Sequence, residues 1–312
     1  MKSIKFKKTQ YERAEELIKN SLLFNGDAGG GSFRDNPYPF ILRKNINNLY
    51  ATYANSILDY FNGNRIAWWN GKLTNHVLSS QVACLNHLYP IRKDKAAVLS
   101  IIQNVCTDIV DVLIITADKF DPAFIQFESV SDLDHLNELS STRGSNCTSI
   151  DALILGVNKD GRKILIPIEW KYVEVYGNED KSKGVKGTTR LGRYTQLINQ
   201  SSQLRSTNHA VYYFEPFYQL MRQTLWAEQM VLNKSTETIK VDDFMHLHII
   251  PDENIDLLQK NYPISKMGME ATWRSCLKDQ SKYKILSPAL LITPISKQYP
   301  DLIEYLESRY WK

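Results

Sequence analysis

Two apolar runs, SIDALILGV (149–157) and KILIPIEWKYV (163–173), stand on either side of NKDGR (158–162). Asp160-Gly161 between two such runs is a strong hairpin-turn signal. With Asp160-Gly161 as the loop residues, Lys159 faces Arg162 and Asp151 lies opposite Trp170. With the loop one residue earlier, Asp151 lies opposite Ile168. Either register brings Asp151 beside Glu169, because opposed Cβ atoms in a sheet are about 5 Å apart and diagonal ones about 7 Å. Strand alternation then puts Glu169 and Lys171 on one face and Ile168, Trp170 and Tyr172 on the other. Two carboxylates that close repel unless something cationic accompanies them. A divalent metal with oxygen ligands does this, and a neighbouring ammonium does so in part.

The hairpin sits within a mixed pattern. Thr9 and Glu12 form a T-x-x-E capping box, which predicts a first helix starting there and stopping near Asn25-Gly26. GDAGGGSF (26–33) lacks the G-K-[ST] of a phosphate-binding loop and follows no strand, so it reads as a flexible connector. Helical periodicity follows in 46–61, 74–89 and 93–105. From about residue 124 the period shortens: FIQFESV, the two hairpin runs, MHLHII and PALLITPI read as strands. Helical stretches at 188–205 and 215–232 separate them. Leu191, Tyr194, Leu197 and Ile198 are the core side of the first of these, and Arg193, Gln196, Gln200 and Gln203 form a polar stripe. This order predicts an α/β or α+β sheet protein.

SID (149–151) followed across a hairpin by PIEWK (167–171) resembles the PD-(D/E)XK nuclease superfamily. Ser149 and Ile150 stand where a proline would give that motif its name. The resemblance implies a restriction-endonuclease-like mixed sheet flanked by helices, here at 71–312, with a helical N-terminal extension at 1–70. It also implies Asp151, Glu169 and Lys171 as catalytic residues. Asp151, Glu169 and the Trp170 backbone carbonyl would ligate Mg²⁺ or Mn²⁺, and nucleic acid, with DNA favoured, would be the partner. Glu128 or Glu138 would supply the extra carboxylate some members use. Ser80 and Gln81 fall in the helix that aligns with the one flanking the site. LSSQVACLNHLYP, IEWKY and RYTQLINQSSQL are in addition similar to a bacterial group of restriction-endonuclease-like proteins. The implied function is a metal-dependent nuclease that hydrolyses phosphodiester bonds, with endonuclease and exonuclease action both open; a non-catalytic nucleic-acid-binding or structural module on the same fold is the alternative.

A plainer reading of Glu169 and Lys171 is a solvated ion pair at the end of an edge strand, worth under about 1 kcal/mol. Pro167 favours it, since proline is rare in central strands. Against it, Asp151 lies within an apolar run, between Ile150 and ALILGV.

Between Tyr176 and Arg193 five basic residues, Lys181, Lys183, Lys186, Arg190 and Arg193, meet two acidic ones. Such a loop entering a helix can hold a phosphate backbone, with Gln196 on the same side, or it is a solvated charged loop. The net charge, +4 from 38 Lys+Arg and 34 Asp+Glu, is too small to decide. His246 and His248 fit one strand face and show no metal-ligand spacing. Trp68 and Trp69 are either base-stacking residues or core. The four cysteines form no C-x-x-C pair, which points to a reducing cytoplasmic compartment. No apolar stretch is long enough for a membrane span, and the first twenty residues lack a signal-peptide core.

Overall fold

The computed structural model describes residues 5–68, 71–139, 143 and 147–311. Helix α1 (Lys5–Asn20) leads into a short hairpin, β1 (Ser32–Phe33) and β2 (Asn36–Pro37), and then α2 (Ala54–Gly63), α3 (Ser80–Leu88) and α4 (Lys95–Gln103). Strands β3 (Ile109–Leu113), β4 (Ile125–Ser129), β5 (Ile150–Asn158) and β6 (Lys163–Trp170) follow. After α5 (Gly184–Gln200) and α6 (Phe217–Leu232) come β7 (Asp243–Phe244) and β8 (His246–Ile249). The chain then runs through α7 (Ile255–Leu258), α8 (Met269–Cys276), β9 (Tyr283–Leu286), α9 (Pro288–Ile292) and α10 (Pro300–Leu306). This is a mixed α/β fold of restriction-endonuclease type, a seven-stranded sheet flanked by helices.

β3 and β4 run one after the other along β5, antiparallel to it, and β5 pairs antiparallel with β6. On its other edge β6 pairs in parallel with β7 and then β8, and β8 pairs in parallel with β9. Ile164, Ile166, Ile168, Trp170 and Tyr172 point into an apolar cluster that α1 to α4, α9 and α10 complete. Leu153, Leu155 and Leu165 point the other way, into a cluster built with α5, α6 and α8. Each fully buried Ile or Leu contributes about 1.5–3 kcal/mol relative to exposure, so a hairpin apolar on both faces is stable only between two helical layers.

The alternation of Glu169 and Lys171 against Ile168, Trp170 and Tyr172 is as the strand pattern predicts. The register is not. Asn158 donates its N–H to the carbonyl of Arg162 (3.0 Å), and Gly161, at φ 76°, closes a turn back to the Asn158 carbonyl (2.9 Å). The loop therefore has three residues, and Ala152 pairs with Ile168. Carried one step further, that register sets Asp151 level with Glu169, midway between the two expected pairings. β6 is a central strand, not an edge. Pro167 sits on it where the break between β7 and β8 falls, Leu165 pairing with Phe244 and Ile168 with Leu247. A residue with no N–H is tolerated at such an interruption.

Other elements shift. α1 begins at Lys5, and Thr9 lies inside it, donating its hydroxyl to the Lys5 carbonyl (2.9 Å). The glycine-rich stretch is folded tightly: buried Asp27 accepts hydrogen bonds from the N–H groups of Gly29, Arg43 and Lys44. A Cβ at Gly29 would come within 2.2 Å of the Pro39 carbonyl oxygen. PALLITPI forms α9 and a following turn, because Pro288 occupies its first turn, where a missing N–H costs nothing. Leu191 is exposed, while Tyr194 and Ile198 are core. Among the described residues no helix is long and apolar enough to cross a membrane.

Candidate active site

A cleft of about 780 Å³ opens where the ends of β4, β5 and β6 meet the first turn of α3 and one face of α6. Glu128, Asp151, Glu169 and Lys171 all line it, with Ser80 and Gln81 from α3. Three adjacent strands thus each deliver a carboxylate to the same wall.

Glu169 is 1% exposed, and its carboxylate contacts the Lys171 ammonium and the side-chain amide of Gln223. Its Oε1 is buried with no hydrogen bond, although the ammonium touches it. Lys171 also donates to Gln219 Oε1 (2.6 Å). Burial alone would lower the lysine pKa, but Glu169, then Tyr176 and Glu174, hold it well above its ordinary value. Asp151 accepts the backbone N–H of Trp170 at 2.8 Å. Burial, then Glu169 and Glu128, push its carboxyl well above the usual range, with Lys171 offsetting part of this. Glu128 takes hydrogen bonds from Gln81 Nε2 (2.6 Å) and Ser149 Oγ (2.8 Å). Its pKa is also raised, first by burial and further by Glu169. Glu128 sits at φ 51°, a left-handed conformation that costs a non-glycine residue about 1–3 kcal/mol and recurs at functional sites.

Among the described residues no group of three or more His, Cys, Asp or Glu side chains is arranged to hold a metal ion. Internal donors occupy these carboxylates, Trp170 N–H on Asp151 and Gln223 with Lys171 on Glu169. The donor chemistry nonetheless suits a hard divalent cation: oxygen ligands only, an orphaned buried Glu169 oxygen, and two carboxyls whose pKa values are raised by burial and by the neighbouring Glu169 charge.

Other expected residues lie elsewhere. Glu138 is knotted to Tyr194, Thr148 and Arg222. Lys181 pairs with Glu215 (3.4 Å), Lys183 with Asp180 (3.6 Å), and Arg190 donates to the Lys181 carbonyl. These three, with Lys186, Arg193 and Gln196, lie outside the cleft lining. Lys181 and Arg190 do share the Tyr218 ring with Arg222, a cleft residue, each 5.5–5.6 Å from its centroid. Trp68 stacks on Phe61 within the core; Trp69 lies outside the described residues. His248, level with Glu169 on β8, bonds the Tyr283 hydroxyl (2.9 Å).

Sequence reasoning missed Gln219, Arg222 and Gln223, polar residues at helical spacing on an otherwise apolar face of α6. It also missed a wall from the N-terminal segment, with Lys7, Tyr11, Phe33, Arg34 and His76 lining the same cleft.

A family model described as Restriction Endonuclease associating with ARP matches residues 3–311. The chain belongs to the REase-ARP family. Neither a curated protein nor a solved structure matches it. REase-ARP membership suggests a nuclease of restriction-endonuclease type, a class that generally uses Mg²⁺ and acts on DNA.

Proposed function

We propose that this chain is a Mg²⁺- or Mn²⁺-dependent nuclease that hydrolyses phosphodiester bonds in DNA through a PD-(D/E)XK site. The observation that carries the reading is the set of three carboxylates, Glu128, Asp151 and Glu169, on neighbouring strands of one cleft beside Lys171, in a REase-ARP chain. Asp151 and Glu169, with the Trp170 carbonyl, would hold the metal, and Glu128 is the additional carboxylate. When bound, such an ion polarises a phosphate and lowers the pKa of water. The Lys171 ammonium, held by Glu169 and Gln219, would stabilise charge that gathers on a phosphate oxygen. Residues 71–312 carry this nuclease unit, and residues 1–70 extend it to the cleft. A pure binding module is disfavoured, because grouped carboxylates repel a phosphate backbone unless a cation intervenes.

The test is cleavage of plasmid and oligonucleotide DNA with millimolar Mg²⁺ or Mn²⁺. Asp151→Asn and Glu169→Gln are each expected to slow it by about 10²-fold or more. Wild-type rates in both variants would exclude the assignment.

A further inference from the structure

Besides the carboxylates, the cleft is lined by a group of rings and cations, Lys7, Tyr11, Phe33, Arg34 and His76, with Phe40 and Tyr38 packed behind them. Tyr11 of α1 stacks on Phe40 at 4.2 Å, Tyr38 stacks on the same ring at 5.2 Å, and Phe33 meets His76 edge-on at 5.1 Å. Lys7 lies 5.7 Å from the Tyr11 centroid, and Arg34 lies 5.5 Å from that of Phe33. Arg34 and Asp35 are the two loop residues of the β1–β2 hairpin, with φ of 50° and 64°. That turn is ordinarily made by Asn-Gly, because side chains resist the left-handed region. Here the strained position carries an exposed arginine at the rim of the cleft. The hairpin is held firmly: Gly31 N–H bonds the Ile41 carbonyl (2.8 Å), and Arg43 Nε bonds the Gly29 carbonyl (2.8 Å).

We infer that this wall binds an unpaired DNA strand, its rings stacking on bases and Lys7 and Arg34 holding phosphates, so that the site acts on single-stranded or frayed DNA. Action on such DNA rests on the nuclease reading above; binding stands without it. Bases present their faces to side chains only when unpaired and unstacked. A space of about 780 Å³ is of the size that encloses a small ligand, and so a few nucleotides of one strand, whereas a duplex is met by open basic surfaces and elements that enter its grooves. Lys7 and Arg34, cations lining the same cleft, provide the positive charge that a strand's phosphates need beside the repelling carboxylates.

The experiment is fluorescence anisotropy with a labelled oligo-dT and a duplex of equal length, without divalent metal, so that nothing depends on turnover. The single strand is expected to bind about tenfold tighter or more. Phe33→Ala should weaken it about 5- to 150-fold, the range set by removing one base stack. Arg34→Gly, which relaxes the turn, should lower the slope of log affinity against log salt by about 0.7. Equal or tighter duplex binding, or wild-type affinity and salt slope in both variants, overturns the inference. Protein that prefers the single strand but cleaves no DNA with metal added refutes the nuclease reading and leaves the wall assignment standing. Cleavage of duplex as fast as single strand, without the binding preference, does the reverse.

Discussion

Lys171 is gripped on three sides, by the Glu169 carboxylate, by Gln219 and by the Tyr176 ring at 5.8 Å. Lys171→Met therefore leaves a buried carboxylate without its cation and is expected to destabilise the protein by about 3–5 kcal/mol as well as abolish cleavage. Thermal denaturation measures it, at about 2–4 °C per kcal/mol. Asp151→Asn should act in the opposite sense on stability. The folded-state pKa of Asp151 is raised, so its ionised form opposes folding at neutral pH, and the amide removes that opposition. Its melting temperature should rise by about 2 °C or more while activity is lost, and a fall would count against the crowding of these carboxylates. Mn²⁺ should stabilise the wild type by about 2.7 kcal/mol at a hundredfold excess over its dissociation constant, and Glu169→Gln should not respond. Asp151, Glu169 and Lys171 were legible because strand alternation fixes the faces of residues so close in sequence. Glu128 and Gln81 were legible only as candidates, since nothing local ties one to the other. Gln219 and Gln223 were not legible at all, because which face of α6 meets β6 is decided by packing.

At the scale of elements, β4, the hairpin strands β5 and β6, and β8 were read from the sequence, while β3 (IVDVL), for all its apolar character, and the short β7 and β9 were not. YKIL (283–286) forms β9 beside a buried neighbour, while the more apolar PALLITPI became a helix, its Pro288 at the first turn outweighing β-like composition. Whether the hairpin loop has two or three residues turned on Gly161 adopting a left-handed conformation, which Asp-Gly permits in either case. The glycine-rich segment misled for a related reason: glycine signals freedom in a sequence, yet here it answers close backbone approach. Gly29→Ala would force a Cβ against the Pro39 carbonyl at φ 66°, and a loss of about 1–3 kcal/mol is expected, with single-strand binding falling in step. The basic loop before α5 faces a simpler trial. Replacing Lys181, Lys183, Lys186 and Arg190 with alanine should reduce the salt slope of DNA binding, by about 0.9 for each duplex phosphate that is no longer neutralised. An unchanged slope would make the loop an ordinary solvated one.

Across the whole molecule, three of the six histidines, His87, His246 and His248, are buried. Burial lowers His87 and His246 to about 3, and burial with Lys7 lowers His76 to about 4. Below about pH 6.5 the unfolded chain takes up protons that these sites refuse, so their contribution is intact above that value and is lost as pH falls. About 2 kcal/mol per fully buried histidine should disappear by about pH 5, and His87→Gln should flatten the fall in melting temperature between about pH 7 and 5. The two apolar clusters on either side of the sheet were predictable from composition and strand pattern, but not which distant segments complete them. Arg13 of α1 donates to the Ser308 carbonyl (3.0 Å), Arg309 to the Asn48 carbonyl (2.7 Å), and Asn86 to the Tyr310 hydroxyl (2.9 Å). Segments 224 to 295 residues apart in sequence thus brace one another. Contacts this far apart in sequence carry a large loop-closure cost, so the α1 side of the cleft gains this footing late in folding.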